Sequence, residues 1–184
     1  MSAGAWGGAV LAAAALAVVA WIYNRLIADR NQARQGFADI DVQLKRRADL
    51  VPPLVEAVRA YAAHEKALLT SIAELRAAAV AAKPGADAGR FEQERALGAK
   101  LKQLLVLQEA YPQLKADANF RDLSARLVEV EDHLQYARRF YNGAVKQYRD
   151  RQESFPHVLV ARAFGFAPLP FFETDDREAV KVQL

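Results

Sequence analysis

Three histidines and a scatter of carboxylates are the residues that could do chemistry in this 184-residue chain. His64-Glu65 opens the pattern of a zinc protease, in which two histidines four residues apart on one helix hold the metal and the glutamate acts as base. Leu68 stands where the second histidine would be, so the pair reads as a polar step near a helix seam. His133 and His157 are far apart, and a metal site would require the fold to gather them with carboxylates. Glu129, Glu131 and Asp132 invite an acid–base reading, yet on a helix they fall at the solvated edge of the apolar stripe. With no cysteine, thiolate ligands, disulfides and cysteine nucleophiles are excluded. Gly-rich phosphate loops, nucleophile elbows and dinucleotide fingerprints do not occur, and Gly165-Phe166-Ala167 is too bare to count. The sequence therefore predicts no catalytic, cofactor-binding or metal-binding residues, no cofactor and no small-molecule substrate.

The elements that carry these residues are helices. The composition is 53% hydrophobic and 26% charged with only nine Gly and seven Pro, too few turn residues for many short strands. The length suits one modest domain. Net charge is +3, with Lys and Arg interleaved among Asp and Glu, which describes a solvated helical surface and not a nucleic-acid interface.

Residues 1–24 carry no charge, and the apolar stretch 5–23 is long enough to cross about 30 Å of hydrocarbon as a helix. Residues 1–23 are read as a single transmembrane anchor. Trp6 at one end, and Trp21, Tyr23 and Arg25 at the other, are its membrane-interface residues, because amphipathic rings settle at the headgroup level. A cleaved signal peptide is the rival reading, but its basic leading region is absent. Arg25, Arg30 and Arg34 follow the span and no basic residue precedes it, which places the body on the cytoplasmic side of the inner (plasma) membrane; the periplasmic side is the alternative.

Residues 24–166 are expected to form a long antiparallel four-helix bundle, all-α, whose first helix continues out of the span, with a short C-terminal helix in addition. Tyr23, Leu26, Arg30, Ala33, Phe37, Ile40, Leu44, Arg47 and Val51 alternate steps of three and four. Pro52-Pro53 is expected to end that helix. A second follows with the seam Leu54, Val58, Tyr61, Glu65, Leu68, Ile72, Leu75 and Ala79, fading into the loop around Lys83-Pro84-Gly85. A third carries Leu97, Leu101, Leu104 and Leu105 and stops near Tyr111-Pro112. Asn119 is the expected cap of the fourth. Its stripe is Phe120, Leu123, Leu127, Val130, Leu134, Ala137, Tyr141, Ala144 and Tyr148. Phe37, Leu127, Leu134 and Tyr141 are predicted core positions. Residues 167–184 are expected to be an extended, mobile tail.

Arg30, Arg47 and Glu65 interrupt these seams, where an unpaired buried charge costs on the order of several kcal/mol. Folding about Pro52 would set Arg30 opposite Glu74 as a seam ion pair. The alternative is that the long side chains reach sideways to water.

Several segments resemble the LemA family of bacterial membrane proteins: Tyr23-Asn24-Arg25-Leu26, the run from Asp39-Ile40-Asp41 through Arg47-Ala48-Asp49-Leu50-Val51-Pro52, Glu109-Ala110-Tyr111-Pro112-Gln113-Leu114-Lys115, Arg138-Arg139-Phe140-Tyr141-Asn142 and Phe155-Pro156. The resemblance covers residues 23–173. It implies an amino-terminal anchor and an antiparallel helical core, and it supplies no reaction. Members that neighbour membrane zinc proteases in gene order, and a relative among magnetosome-membrane proteins, favour a scaffold or adaptor. Lipidated members carry a cysteine that this chain lacks. The expected function is a non-enzymatic membrane-anchored scaffold whose partners are the lipid bilayer, through the N-terminal helix, and a second copy or a membrane protein such as a protease. A membrane-surface organiser acting through assembly and an apolar C-terminal segment is the alternative.

That segment contains Phe155, Arg162, Phe164 and Phe166. In an up-and-down bundle the fourth helix returns to the bilayer, so the segment is expected at the membrane-proximal end. There it either lies in the interface or folds as a lid over the bundle with Val158, Leu159 and Phe164 buried.

Overall fold

A computed structural model describes residues 3–82 and 85–172. Among them the fold is all-α, built from α1 (Ala3–Tyr61), α2 (Lys66–Ala81), α3 (Ala88–Ala110), α4 (Pro112–Ala116), α5 (Ala118–Glu153) and α6 (His157–Ala163). Of the tail 167–184 expected to be mobile, residues 173–184 lie outside the described residues.

α1 is one uninterrupted helix of 59 residues, about 88 Å long. The expected break at Pro52-Pro53 does not occur. A proline at position 52 leaves the carbonyl of Ala48 without its helical donor, and Arg76 of α2 fills that vacancy: its Nε donates to the Ala48 oxygen at 2.8 Å. Val51, Leu54, Val55 and Val58 are buried on both sides of the prolines, so packing carries the helix on past them. The chain reverses instead at residues 62–65, where Ala62 is buried and its carbonyl accepts from the Glu65 amide at 3.1 Å.

This later turn dismisses the Arg30–Glu74 pair. Arg76 lies beside Ala48, roughly 27 Å along α1 from Arg30, so Glu74, two residues from Arg76 on the same helix, is out of reach. Glu74 is exposed.

α2 has only 16 residues and returns part of the way along α1. The loop ends at Asp87, whose side chain caps α3 by accepting from the Arg90 amide at 3.2 Å. Beyond Tyr111, Pro112 starts the single turn of α4, and Asp117 caps α5, its Oδ1 accepting from the Phe120 amide at 2.7 Å. Asp117 thus takes the role expected of Asn119. The Phe120 and Asn119 amides and the Tyr61 hydroxyl, all bonded to the Asp117 carboxylate, hold it below the ordinary aspartate range.

α5 runs antiparallel to α1 along the length of the body, and its predicted stripe faces inward throughout, with Ala137 half-buried and the other eight positions buried. At Gly36 the two helices come close enough that a Cβ would meet the Phe140 ring at 2.9 Å. The core has three levels. Farthest from the apolar end of α1, Leu54, Val58, Ile72, Leu97, Leu104, Leu114, Phe120 and Leu127 join α1 to α5 in a four-helix section. In the middle, Ala33, Ile40, Leu44, Leu134 and Tyr141 meet Phe91 of α3 and Phe172. Nearest the apolar end, Ile22, Leu26 and Tyr148 meet Val160 and Ala161 of α6. The four-helix arrangement thus gives way, where α2 and α3 stop, to α1, α5 and the C-terminal segment.

Candidate membrane-interface site

Along α1 the side chains of residues 6–21 are all exposed, and Ile22 is the first buried one. Of the described residues, α1 is the helix long and apolar enough to cross a membrane. Trp6, Trp21 and Arg25 are exposed, while Tyr23 is half-buried with its ring against Phe164 (5.1 Å between centroids) and Phe166 (5.4 Å).

α5 ends at this same level. Ser154 closes it, its amide and its Oγ both donating to the Arg151 carbonyl, and α6 begins three residues later. The His157 ring then lies 6.0 Å from that of Trp21. Val160 and Ala161 face the bundle and are buried. Phe155, Leu159, Arg162 and Phe164 face away and are exposed. The lid expectation is therefore half right: α6 covers the end of the bundle with Val160 and Ala161, whereas Leu159 and Phe164, expected inside a lid, are outside.

After α6 the chain turns at Gly165, which adopts a positive φ of 67°, and runs back along α5 as an extended strap. Five side chains of α5 hold its backbone. Gln152 donates to the Phe166 carbonyl (2.9 Å), Tyr148 to Ala167 (3.1 Å), Arg149 through two nitrogens to Leu169 (2.6 and 2.9 Å) and Tyr141 to Pro170 (2.7 Å). Asn142 makes a reciprocal pair with the amide and carbonyl of Phe172, both at 2.8 Å. Phe172 is fully buried, 4.2 Å from the Phe91 ring and beneath the Arg138 guanidinium at 4.3 Å. Residues 167–172 are docked on α5, and the packed body reaches Phe172 instead of ending at residue 166. Burial pushes the Tyr141 phenol up to about 12, with Arg149 acting weakly in the opposite sense, and raises Tyr148 likewise.

The seam charges find their partners inside the bundle. Arg30 stacks on Phe166 at 5.3 Å. Its neighbour Asp29, which sequence reasoning passed over, is buried and accepts from Gln147 (2.9 Å) and from Arg151 of α5. Arg47, with no exposed surface, donates to Glu131 at 3.0 Å, to the Glu94 backbone oxygen at 2.9 Å and to the Glu94 carboxylate. Gly98 makes room for it: a Cβ there would stand 3.1 Å from Nη1. Glu131 is thus half-buried against Arg47 and not at a solvated edge. The signal for Glu94 was present, since Phe91, Glu94, Leu97, Leu101 and Leu104 keep a seam spacing. Glu65 accepts from the Tyr111 hydroxyl at 3.2 Å.

His64-Glu65 falls in the turn between α1 and α2 and not on a helix, with His64 exposed. His133 is exposed beside Glu129 on α5, and no group of three potential metal ligands forms among the described residues.

The LemA family model matches residues 36–184. The chain is 23% identical to magnetosome protein MamQ 2 of Paramagnetospirillum magneticum (strain ATCC 700264 / AMB-1), over 90% of this chain and 72% of that protein. It is 22% identical to magnetosome protein MamQ of Magnetospirillum gryphiswaldense (strain DSM 6361 / JCM 21280 / NBRC 15271 / MSR-1), over 89% of this chain and 71% of that protein. With most of its length matched by the family model, this chain belongs to the LemA family.

Proposed function

We propose that the protein is a membrane-anchored helical scaffold that docks a second copy of itself, or a membrane protein such as a protease, on the outer faces of its bundle. The observation that carries this reading is the continuity of α1, which runs from the exposed apolar stretch through the whole body without a hinge. About 40 residues of one helix, roughly 60 Å, stand rigidly on the anchor. A rod of this kind fixes the height and orientation of whatever it holds. The outer faces carry exposed apolar side chains suited to a partner, among them Val42 on α1 and Tyr136 and Phe140 on α5. Chemistry has no part in this proposal: the polar clusters around Arg47 and Asp29 are occupied in joining helices. The relatives named as magnetosome proteins lend support through their name.

Photocrosslinking from position 42 or 136 of the full chain in native membranes, with native mass in mild detergent, tests the proposal. A discrete adduct of constant mass supports it; a monomer without adducts at either position refutes it. The arginines after the span, Arg25, Arg30 and Arg34, favour a cytoplasmic body. Because the chain has no cysteine, Lys115→Cys tests this with a membrane-impermeant thiol reagent on intact cells, and labelling without permeabilisation would place the body outside. The alternative role, a membrane-surface organiser acting through assembly, is favoured by the exposed apolar side chains of Leu159 in α6 and of Phe155 and Phe164 on either side of it.

A further inference from the structure

The end of the bundle nearest the anchor exposes apolar surface that folding covers only in part. Phe155 is 81% exposed, Leu159 60% and Phe164 57%, and Trp21 on α1 is 63% exposed beside them. A helix that served only to close the bundle would turn such residues inward. α6 turns Val160 and Ala161 inward and Leu159 outward, and Phe155 before it and Phe164 after it extend that exposed apolar surface.

What covers the other follows from its position. The exposed apolar run of α1 ends at Trp21, and the His157 ring lies 6.0 Å from the Trp21 ring. The α6 face is therefore continuous with the surface that lipid must surround if α1 spans the membrane. An indole at the end of a span sits at the headgroup level, and an apolar face at that height enters the bilayer to a depth of about 5–10 Å. Arg25 and Arg162 are exposed at the same end, where cationic side chains meet phosphate groups. Tyr23, edge-on to Phe164 and Phe166, joins the end of the apolar stretch of α1 to the chain just after α6.

We propose that Phe155, Leu159 and Phe164, with Trp21, form a lipid-binding face that lies in the headgroup–acyl boundary and sets the bundle on the bilayer as a foot, fixing its tilt and rotation. The proposal rests on the anchor reading, and its test separates the two. The full chain is spin-labelled at single cysteines replacing Phe155, Leu159, Val10 or Lys115 and reconstituted into phosphatidylethanolamine–phosphatidylglycerol vesicles. Collisions with oxygen, which partitions into lipid, are then compared with those of a water-soluble nickel chelate. Labels at 155 and 159 are expected to match the label at 10 in favouring oxygen, while the label at 115, at the far end, favours nickel. Nickel-accessible labels at 155 or 159 with a lipid-exposed label at 10 overturn the foot and leave the anchor standing. A label at 10 that favours nickel overturns both. Shielding from both reagents at 155 and 159 would put a protein on this face and equally overturn the lipid assignment. Each replaced side chain is exposed, so the bundle is expected to keep its helicity by circular dichroism.

Discussion

Replacing Arg47 by Leu should be among the most damaging single changes available to the body. The guanidinium has no solvent-exposed surface and joins three helices, donating from α1 to the Glu94 carboxylate and carbonyl on α3 and to Glu131 on α5. In Arg47→Leu the Glu94 side chain, 4% exposed, remains buried without its cation. Removal of one partner from a buried pair costs about 3–5 kcal/mol, most of it the stranded charge. Glu94→Leu should cost less, about 2–3 kcal/mol, because Arg47 keeps Glu131 and the Glu94 backbone oxygen. The double variant strands no fully buried charge and should lie within about 2 kcal/mol of the native protein, well short of the sum of the two single changes. For a chain of this size about 1 kcal/mol moves the melting temperature by roughly 2–4 °C, so Arg47→Leu is expected to lower it by on the order of 10 °C. The assay is a helicity melt of the full-length protein in nanodiscs, with hydrogen exchange across residues 88–110 reporting release of α3. Two results would refute the reasoning: an Arg47→Leu loss no larger than that of Arg46→Leu at the exposed neighbouring position, or a double variant whose loss equals the sum of the singles.

Arg76→Met withdraws the donor that satisfies the carbonyl orphaned by Pro52, and should cost about 1–2 kcal/mol with faster exchange of α1 amides around residues 48–56; unchanged exchange would mean the prolines need no such support. Asn142→Ala removes both hydrogen bonds to Phe172 and should raise proteolytic cleavage between residues 166 and 172 while α1–α5 helicity holds, and native-like resistance would show that the strap is held without it. Leu134→Ala, at a fully buried stripe position, should cost about 2–5 kcal/mol in the same melt, and neutrality there would contradict the packing of α5 on α1. In alkali the folded chain keeps the Tyr141 proton to about 12, whereas an unfolded tyrosine loses its own near 10. The folded pKa is the raised one, so this contribution is intact below about pH 10 and lost as pH climbs through about 12; a melting temperature flat across that window would remove it.

What was legible in the sequence is what a period can encode. The stripe of α5 repeats over eight turns, and every position read from it is turned inward. The seam of α1 was equally plain, and even its charges were correctly singled out as needing partners or solvent. Pro52-Pro53 was misread because the cost of a proline is local while its relief is not. The donor that relieves it, Arg76, stands 28 residues beyond the Ala48 carbonyl that it meets, and only a turn placed at 62–65 brings it back. Once that turn was set at Pro52, the register followed wrongly and paired Arg30 with Glu74. The strap was invisible for a different reason. Its carbonyls are the acceptors for Gln152, Tyr148, Arg149 and Tyr141, and a backbone carbonyl is the same whatever residue bears it. Only Phe172, apolar and terminal to the run, hinted that the extended segment had somewhere to go.

The segments that carry the family resemblance bear on function through what their residues touch. Arg47 is the buried cation joining α1 to α3 and α5. Ala48 and Pro52 are the acceptor and the gap that Arg76 bridges. Tyr111 ties the short break before α4 to Glu65 in the first turn, and Pro112 starts α4. Tyr141 and Asn142 hold the strap, with Arg138 stacked above its last ring. Arg47, Tyr111, Tyr141 and Asn142 hydrogen-bond to the protein's own backbone or to another of its side chains. In an enzyme signature the opposite is expected: polar atoms converging on an open space where a substrate would sit. Here they converge on helix junctions, at the turn, at the proline gap, and where the C-terminal strap is tied down. A signature composed this way specifies a stiff shape and the joints that keep it stiff. That is what the scaffold proposed above would require, and the proposal directs the search for function to the outer faces of the bundle and to the proposed lipid-binding face at its end.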